Sequence, residues 1–179
     1  MKFINNSSDL AKFLNIKIIQ KSNISSISTD TRDLKAGSLF FAIKGEQFNG
    51  NDYVEDALKK GASFVVTDSR RFKGNNDKNI IYVNSSVIAL RTIAKNILKT
   101  FNGDVIGITG SNGKTTTTKI ISSVLNKSSG TIKNYNNEIG MPLSIINANA
   151  NSKYLVIEMG AAKPKDIQYL SSLLKPNIG

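Results

Sequence analysis

The sequence contains neither cysteine nor histidine. Without thiols there is no disulfide framework and no thiolate nucleophile. Without imidazole, the usual general base near neutral pH and the commonest transition-metal ligand are both missing. Chemistry carried by this chain falls to Lys, Asp, Glu, hydroxyls, backbone amides and a hard cation. No apolar run approaches the ~20 residues needed to cross a bilayer. The start, Met1-Lys2-Phe3-Ile4-Asn5-Asn6-Ser7, turns polar too early for a signal peptide. A cytoplasmic location without membrane insertion is the expectation.

What is present is a chain of 179 residues, 40% apolar, enough for one large domain or two small ones with a real core. Lys and Arg number 24 against 13 Asp and Glu, a net charge of +11. Such a balance suits anionic partners, whether nucleotides, acidic substrates or nucleic acid. The lysines are scattered among Asn and Ser and form no block of five or more, which equally fits a solvated surface. Nor do the interleaved aromatics make an RNA-recognition pattern. A basic P-loop protein acting on nucleic acid stays a rival reading, and no nucleic-acid partner is expected.

Strand and helix signals alternate, which favours an α/β fold. Ser38–Ile43 and Phe64–Thr67 read as short strands around a helix from about Tyr53 to Lys60 that stops at Gly61. A polar loop, Arg70–Asn79, leads to the β-rich run Ile80–Val83. Leu90, Ile93, Ala94, Ile97, Leu98 and Phe101 then recur at helical spacing, with Ser85 or Ser86 as the cap. A domain boundary is placed near Asn84–Ser86, giving domains 1–84 and 85–179. The second domain opens with the apolar strand Val105–Thr109, a Gly-rich turn, and a helix from about Lys114 to Asn126 carrying Ile120, Ile121, Val124 and Leu125. Tyr154–Ile157 is a buried-type strand ending in the acid Glu158. A helix from about Pro164 to Leu174 follows, with proline in its first turn. Strand, loop, helix and an acid-tipped strand make the layout of a P-loop domain with a mostly parallel sheet.

The turn Gly110-Ser111-Asn112-Gly113-Lys114-Thr115-Thr116 carries the chemistry. Glycines let several backbone N–H groups converge on phosphate oxygens, and the helix that follows adds its positive dipole end. Lys114 would reach the β- and γ-phosphates of ATP, and the Thr115 hydroxyl would ligate Mg²⁺. The usual pattern wants glycine at position 108, where this chain has isoleucine. It offers Gly107 and Gly110 instead. From its position, Glu158 is either a Mg²⁺ ligand beside the phosphates or a solvated strand end or helix cap.

The stretch Gly107–Thr116 resembles the ATP loop of the Mur ligases, which share the shifted glycines and build the peptide of bacterial cell-wall precursors. Asn134-Tyr135-Asn136-Asn137-Glu138-Ile139-Gly140-Met141-Pro142 and Val156-Ile157-Glu158-Met159-Gly160-Ala161 are similar to the branch that adds D-alanyl-D-alanine. The Thr-Thr-Pro usual in the third-residue-adding branch is missing. Ser28-Thr29-Asp30-Thr31-Arg32 and Gly37–Glu46 are similar to the family's small UDP-substrate-binding domain. Departures are Asn51, where relatives often have histidine, and Ala162 and Lys163, which replace a frequent Asn-His or Ser-His.

The resemblance implies an ATP-dependent amide-bond ligase that is a monomer and works through an acyl phosphate. Its substrates would be UDP-N-acetylmuramoyl-tripeptide and D-alanyl-D-alanine, and its cofactors ATP and Mg²⁺. Lys114 and Glu158 would be catalytic, with Thr115 holding Mg²⁺ at the phosphates and Glu158 holding a second Mg²⁺ near the acceptor carboxylate. Thr31, Arg32, Asn136 and Asn137 would bind the UDP-substrate. For Asn136 and Asn137 an Asx turn is the competing reading, and for Arg32 an ion pair with Asp30 or Asp33. Phe40 and Phe41 are expected in the core. The family's central domain continues past Gly179 and is followed by a Rossmann-like domain. The resemblance therefore implies a fragment, inactive alone, whose further metal-holding histidine and carbamylated lysine lie beyond it. A third-residue-adding ligase and a non-catalytic nucleotide-binding module remain alternatives.

Overall fold

The computed structural model describes residues 2–45 and 47–179; Met1 and Glu46, both quoted above, lie outside the described residues. By its internal contacts the chain divides into two compact units. One is Ile4–Thr92; the other is Ile93–Gly179 with Lys2 and Phe3. Among the described residues, the strands of both sheets pair in parallel, as the alternation of strand and helix signals implies.

The first unit opens with α1, Ser7–Leu14, capped by the Asn6 side chain, which accepts from the Ser8 and Asp9 amides. Its sheet runs in the order β1 (Ile27–Ser28), β2 (Leu39–Phe41), β3 (Phe64–Thr67) and β4 (Ile80–Tyr82). β2 and β3 are buried on both faces, which explains their unbroken apolar runs. A 3₁₀ turn at Gly50–Tyr53 precedes α2, Val54–Lys59, so Tyr53 stands ahead of the helix rather than in it. Phe40 packs with Ala42, Val54, Ala57, Ala62, Val65 and Phe72. Both Phe40 and Phe41 are core residues.

The division between the units falls within α3, Ser86–Thr100. Ser85 accepts from the Ile88 amide and caps it. Leu90, Ile93, Ala94 and Ile97 form its fully buried face, as their spacing predicts.

The second unit holds a sheet ordered β5 (Asp104–Ile108), β7 (Tyr154–Glu158), β6 (Ser128–Gly130). Connecting them are α4, Lys114–Val124, and α5, Gly140–Asn147; α6, Asp166–Leu174, follows β7. Three features go beyond the sequence reading or change it. α4 leaves Ile120 57% and Val124 75% exposed, and its buried residue is Thr118, so those two apolar residues do not face this sheet. α6 starts two residues after Pro164, because Lys165 adopts a left-handed φ of 74°. The entry to α6 is instead organised by Asp166, whose carboxylate accepts from the Ala162 and Lys163 amides at 2.9 and 2.8 Å. α5 is a third element, unread in the sequence because it opens on glycine and carries Pro142 in its first turn.

Candidate functional site

The register of the sheet sets the site. β5 and β7 run parallel, with Ile108 opposite Glu158, so the chain leaving β5 turns beside the end of β7. The Met159 amide donates to the Ile108 carbonyl at 2.7 Å and extends that pairing by one residue. Carboxyl ends of parallel strands are where α/β sheets place ligands.

From Ile108 the backbone passes through Gly110, φ 150°, and Gly113, φ 75°, both in the region that L-residues rarely adopt. Gly113 is the N-cap of α4 and no side chain caps that end. The unpaired amides of the first turn are left to an external acceptor, an anion in this setting. Ser111, Asn112, Thr115 and Thr116 are exposed around this turn. Lys114 folds back over the loop, its Nζ donating to the carbonyls of Gly110 at 2.8 Å and Ser111 at 3.4 Å.

Glu158 is only 2% exposed. Both carboxylate oxygens are engaged by neutral donors: Oε2 by the Thr115 hydroxyl at 2.8 Å and Oε1 by Asn136 Nδ2 at 2.7 Å. Its backbone amide donates to Thr131 Oγ1 at 2.7 Å. No ion pair reaches Glu158 among the described residues. A buried carboxylate with hydroxyl and amide partners but no cation has a desolvation cost that a bound cation would offset.

The loop at 134–137 is locked against this centre. Asn136 takes the side-chain bond to Glu158 and its carbonyl accepts from the Gly160 amide at 2.8 Å. Asn137 turns the other way: Oδ1 accepts from the Ile139 and Gly140 amides at 3.1 and 2.8 Å, the Asx turn that leads into α5. The loop residues, Asn136 and Glu158 are thus brought together, while the Asn137 amide oxygen is committed to its own backbone. Thr131 escaped notice in the sequence because a lone threonine far from any motif carries no signal.

Thr31 and Arg32 sit in the first unit, on the bend after β1. The buried Thr31 offers its carbonyl to Lys60 Nζ at 3.0 Å. Arg32, with its side chain 84% exposed, forms a forked pair with Asp30, the closest contact being 2.6 Å. Asn51 is bonded on both sides of its amide: it accepts from Thr67 Oγ1 at 2.6 Å and donates to Asp68 at 2.8 Å. Asp68 in turn accepts from the Ser86 amide at the start of α3.

Two family models match the sequence. The Mur ligase family, catalytic domain, matches residues 23–101, and the Mur ligase middle domain matches residues 108–179. The UDP-N-acetylmuramoyl-tripeptide–D-alanyl-D-alanine ligase of Buchnera aphidicola subsp. Baizongia pistaciae is 40% identical over 167 residues, 92% of this chain and 36% of that protein. The crystal structure of the MurF ligase from Thermotoga maritima in complex with ADP is 36% identical, with a TM-score of 0.70, over 83% of this chain and 35% of that one. MurF from Acinetobacter baumannii superposes with a TM-score of 0.80 at 26% identity, over 97% of this chain and 40% of its own. This chain therefore spans little more than a third of the length of these relatives. With both Mur ligase models matched, over residues 23–101 and 108–179, and a fold similar to that of the MurF structures, the chain belongs to the Mur ligase family.

Proposed function

We propose that this chain is part of an ATP-dependent ligase that joins D-alanyl-D-alanine to UDP-N-acetylmuramoyl-tripeptide in peptidoglycan precursor synthesis. Residues 1–84 are assigned to the UDP-substrate and residues 85–179 to ATP, and the enzyme acts as a cytoplasmic monomer. The observation that carries the reading is the buried Glu158 carboxylate bonded to Thr115, the residue after the loop lysine, beside an uncapped helix N-terminus. The names of the relatives supply the substrates. No helix among the described residues is long and apolar enough to cross a membrane.

A carboxylate resists attack by an amine because of its negative charge. Transfer of the γ-phosphoryl of ATP onto it makes an acyl phosphate; the amine then attacks, phosphate leaves, and an amide remains. Protein help in such a transfer is positioning and charge neutralisation. The loop from Gly110 to Thr116 holds the phosphates through its amides, and Lys114 exchanges its loop carbonyls for phosphate oxygens. The Thr115 hydroxyl and the Glu158 carboxylate are the hard oxygens that would hold Mg²⁺, an ion that needs only one or two protein oxygens, so the residues present fit it. When bound, it would neutralise charge on the transferring group. Thr31, Arg32 and Asn137 are assigned to the UDP-substrate side.

The test is phosphate release from ATP with UDP-N-acetylmuramoyl-tripeptide and D-alanyl-D-alanine, run on this chain and on a form continued to the length of its relatives. Release by the longer form that requires both substrates is expected, with none from the 179-residue chain. Dependence on a free amino acid acceptor instead would move the protein to another branch of the family. ADP binding without release in the longer form would leave a nucleotide-binding module.

A further inference from the structure

Asn136 holds Glu158 from the side opposite Thr115. The carboxylate is buried and has two oxygens to satisfy; among the described residues Thr115 engages Oε2 and the Asn136 amide engages Oε1. The Asn136 backbone is fixed as well, through its carbonyl to the Gly160 amide. Gly160 leaves no slack in this arrangement: a Cβ there would lie 2.7 Å from Asn136 Cγ and Oδ1. The carboxamide is therefore clamped between Gly160, just past β7, and the carboxylate at the end of that strand, and it sets the plane in which Glu158 presents Oε2 to the loop.

We propose that Asn136 is a positioning residue for Glu158, acting on cation binding through the carboxylate rather than through contact with the UDP-substrate. The inference rests on Glu158 being the cation ligand. An outer partner of a metal-binding carboxylate fixes its orientation, and its removal typically lowers metal affinity about 10-fold or more.

ADP binding to the 179-residue chain, measured calorimetrically with and without Mg²⁺ and with no UDP-substrate present, separates the possibilities. Asn136→Ala is expected to leave the metal-free ADP affinity unchanged and to lose about 10-fold of the Mg²⁺-dependent gain. Asn136→Ala combined with Glu158→Gln should bind no more weakly than Glu158→Gln alone. Gly160→Ala, which displaces the carboxamide without deleting it, should repeat the Asn136→Ala phenotype and covers the case in which that variant fails to fold. If Asn136→Ala or, where it does not fold, Gly160→Ala keeps the full gain while Glu158→Gln loses it, the positioning role is overturned and the metal role of Glu158 stands. If Glu158→Gln also keeps the gain, or the unmodified chain binds no ADP, both are overturned.

Discussion

Lys114 and Thr115 are neighbours in sequence with different tasks, and their substitutions should separate. Among the described residues the Lys114 ammonium is bonded to carbonyls of its own exposed loop, so Lys114→Ala removes no buried hydrogen bond. It should leave the melting temperature of the free chain nearly unchanged. A charged hydrogen bond contributes about 1.5–3 kcal/mol, so ADP affinity measured by calorimetry should fall about 10- to 100-fold. Thr115→Val keeps the shape and deletes the hydroxyl, leaving one oxygen of a buried carboxylate without its donor. Denaturant unfolding should register a loss of about 1–3 kcal/mol. Equal effects of the two substitutions on stability would mean that Thr115 does not support Glu158 as described.

At the scale of elements, the two helix entries make separate predictions. α4 begins at Gly113 with φ 75°, so Gly113→Ala forces a side chain into a left-handed conformation at a cost of about 1–2 kcal/mol. The loop should loosen, seen as lower stability and weaker ADP binding together. α6 depends on Asp166. The Ala162 and Lys163 amides, its two backbone donors, hold the carboxyl below its ordinary 3.8 against an opposing desolvation, with the Lys163 charge the smallest influence. Because the folded value is depressed, this stabilisation is complete above 3.8 and disappears as pH falls through the lower folded value. Asp166→Asn should lower the melting temperature at pH 7, and the gap to the unmodified chain should narrow only below about pH 4. A gap that widened on acidification would contradict the assignment.

Legibility in the sequence also divides by element. β3 and β5, and the buried face of α3, announced themselves through apolar runs and helical spacing that their burial demands. β6 is Ser128-Ser129-Gly130, with no strand pattern, and exists because it pairs with β7. In α4 the apolar spacing was real, yet Ile120 and Val124 are exposed, since periodicity reports an amphipathic face without saying what covers it. The loop was readable because its residues are contiguous. The bonds joining Thr115 and Asn136 to Glu158 span 43 and 22 residues and become visible only once β5 and β7 lie side by side.

For the whole molecule, the charge of +11 is the property most open to misreading. No basic block accompanies it, and the site organised by the fold is an uncapped helix end beside a buried acid. Any association with DNA should therefore be of the diffuse kind, falling steeply between about 50 and 200 mM salt, while ADP binding survives across that range. Filter binding at two salt concentrations distinguishes them; salt-resistant DNA binding would favour the nucleic-acid reading. The most direct test of the central claim is a ¹⁵N amide NMR titration of the chain with ADP and Mg²⁺. The account predicts that the largest shifts fall on the amides of Gly110 to Thr116 and on Glu158. Shifts centred elsewhere, with those amides unmoved at saturating ADP, would contradict it.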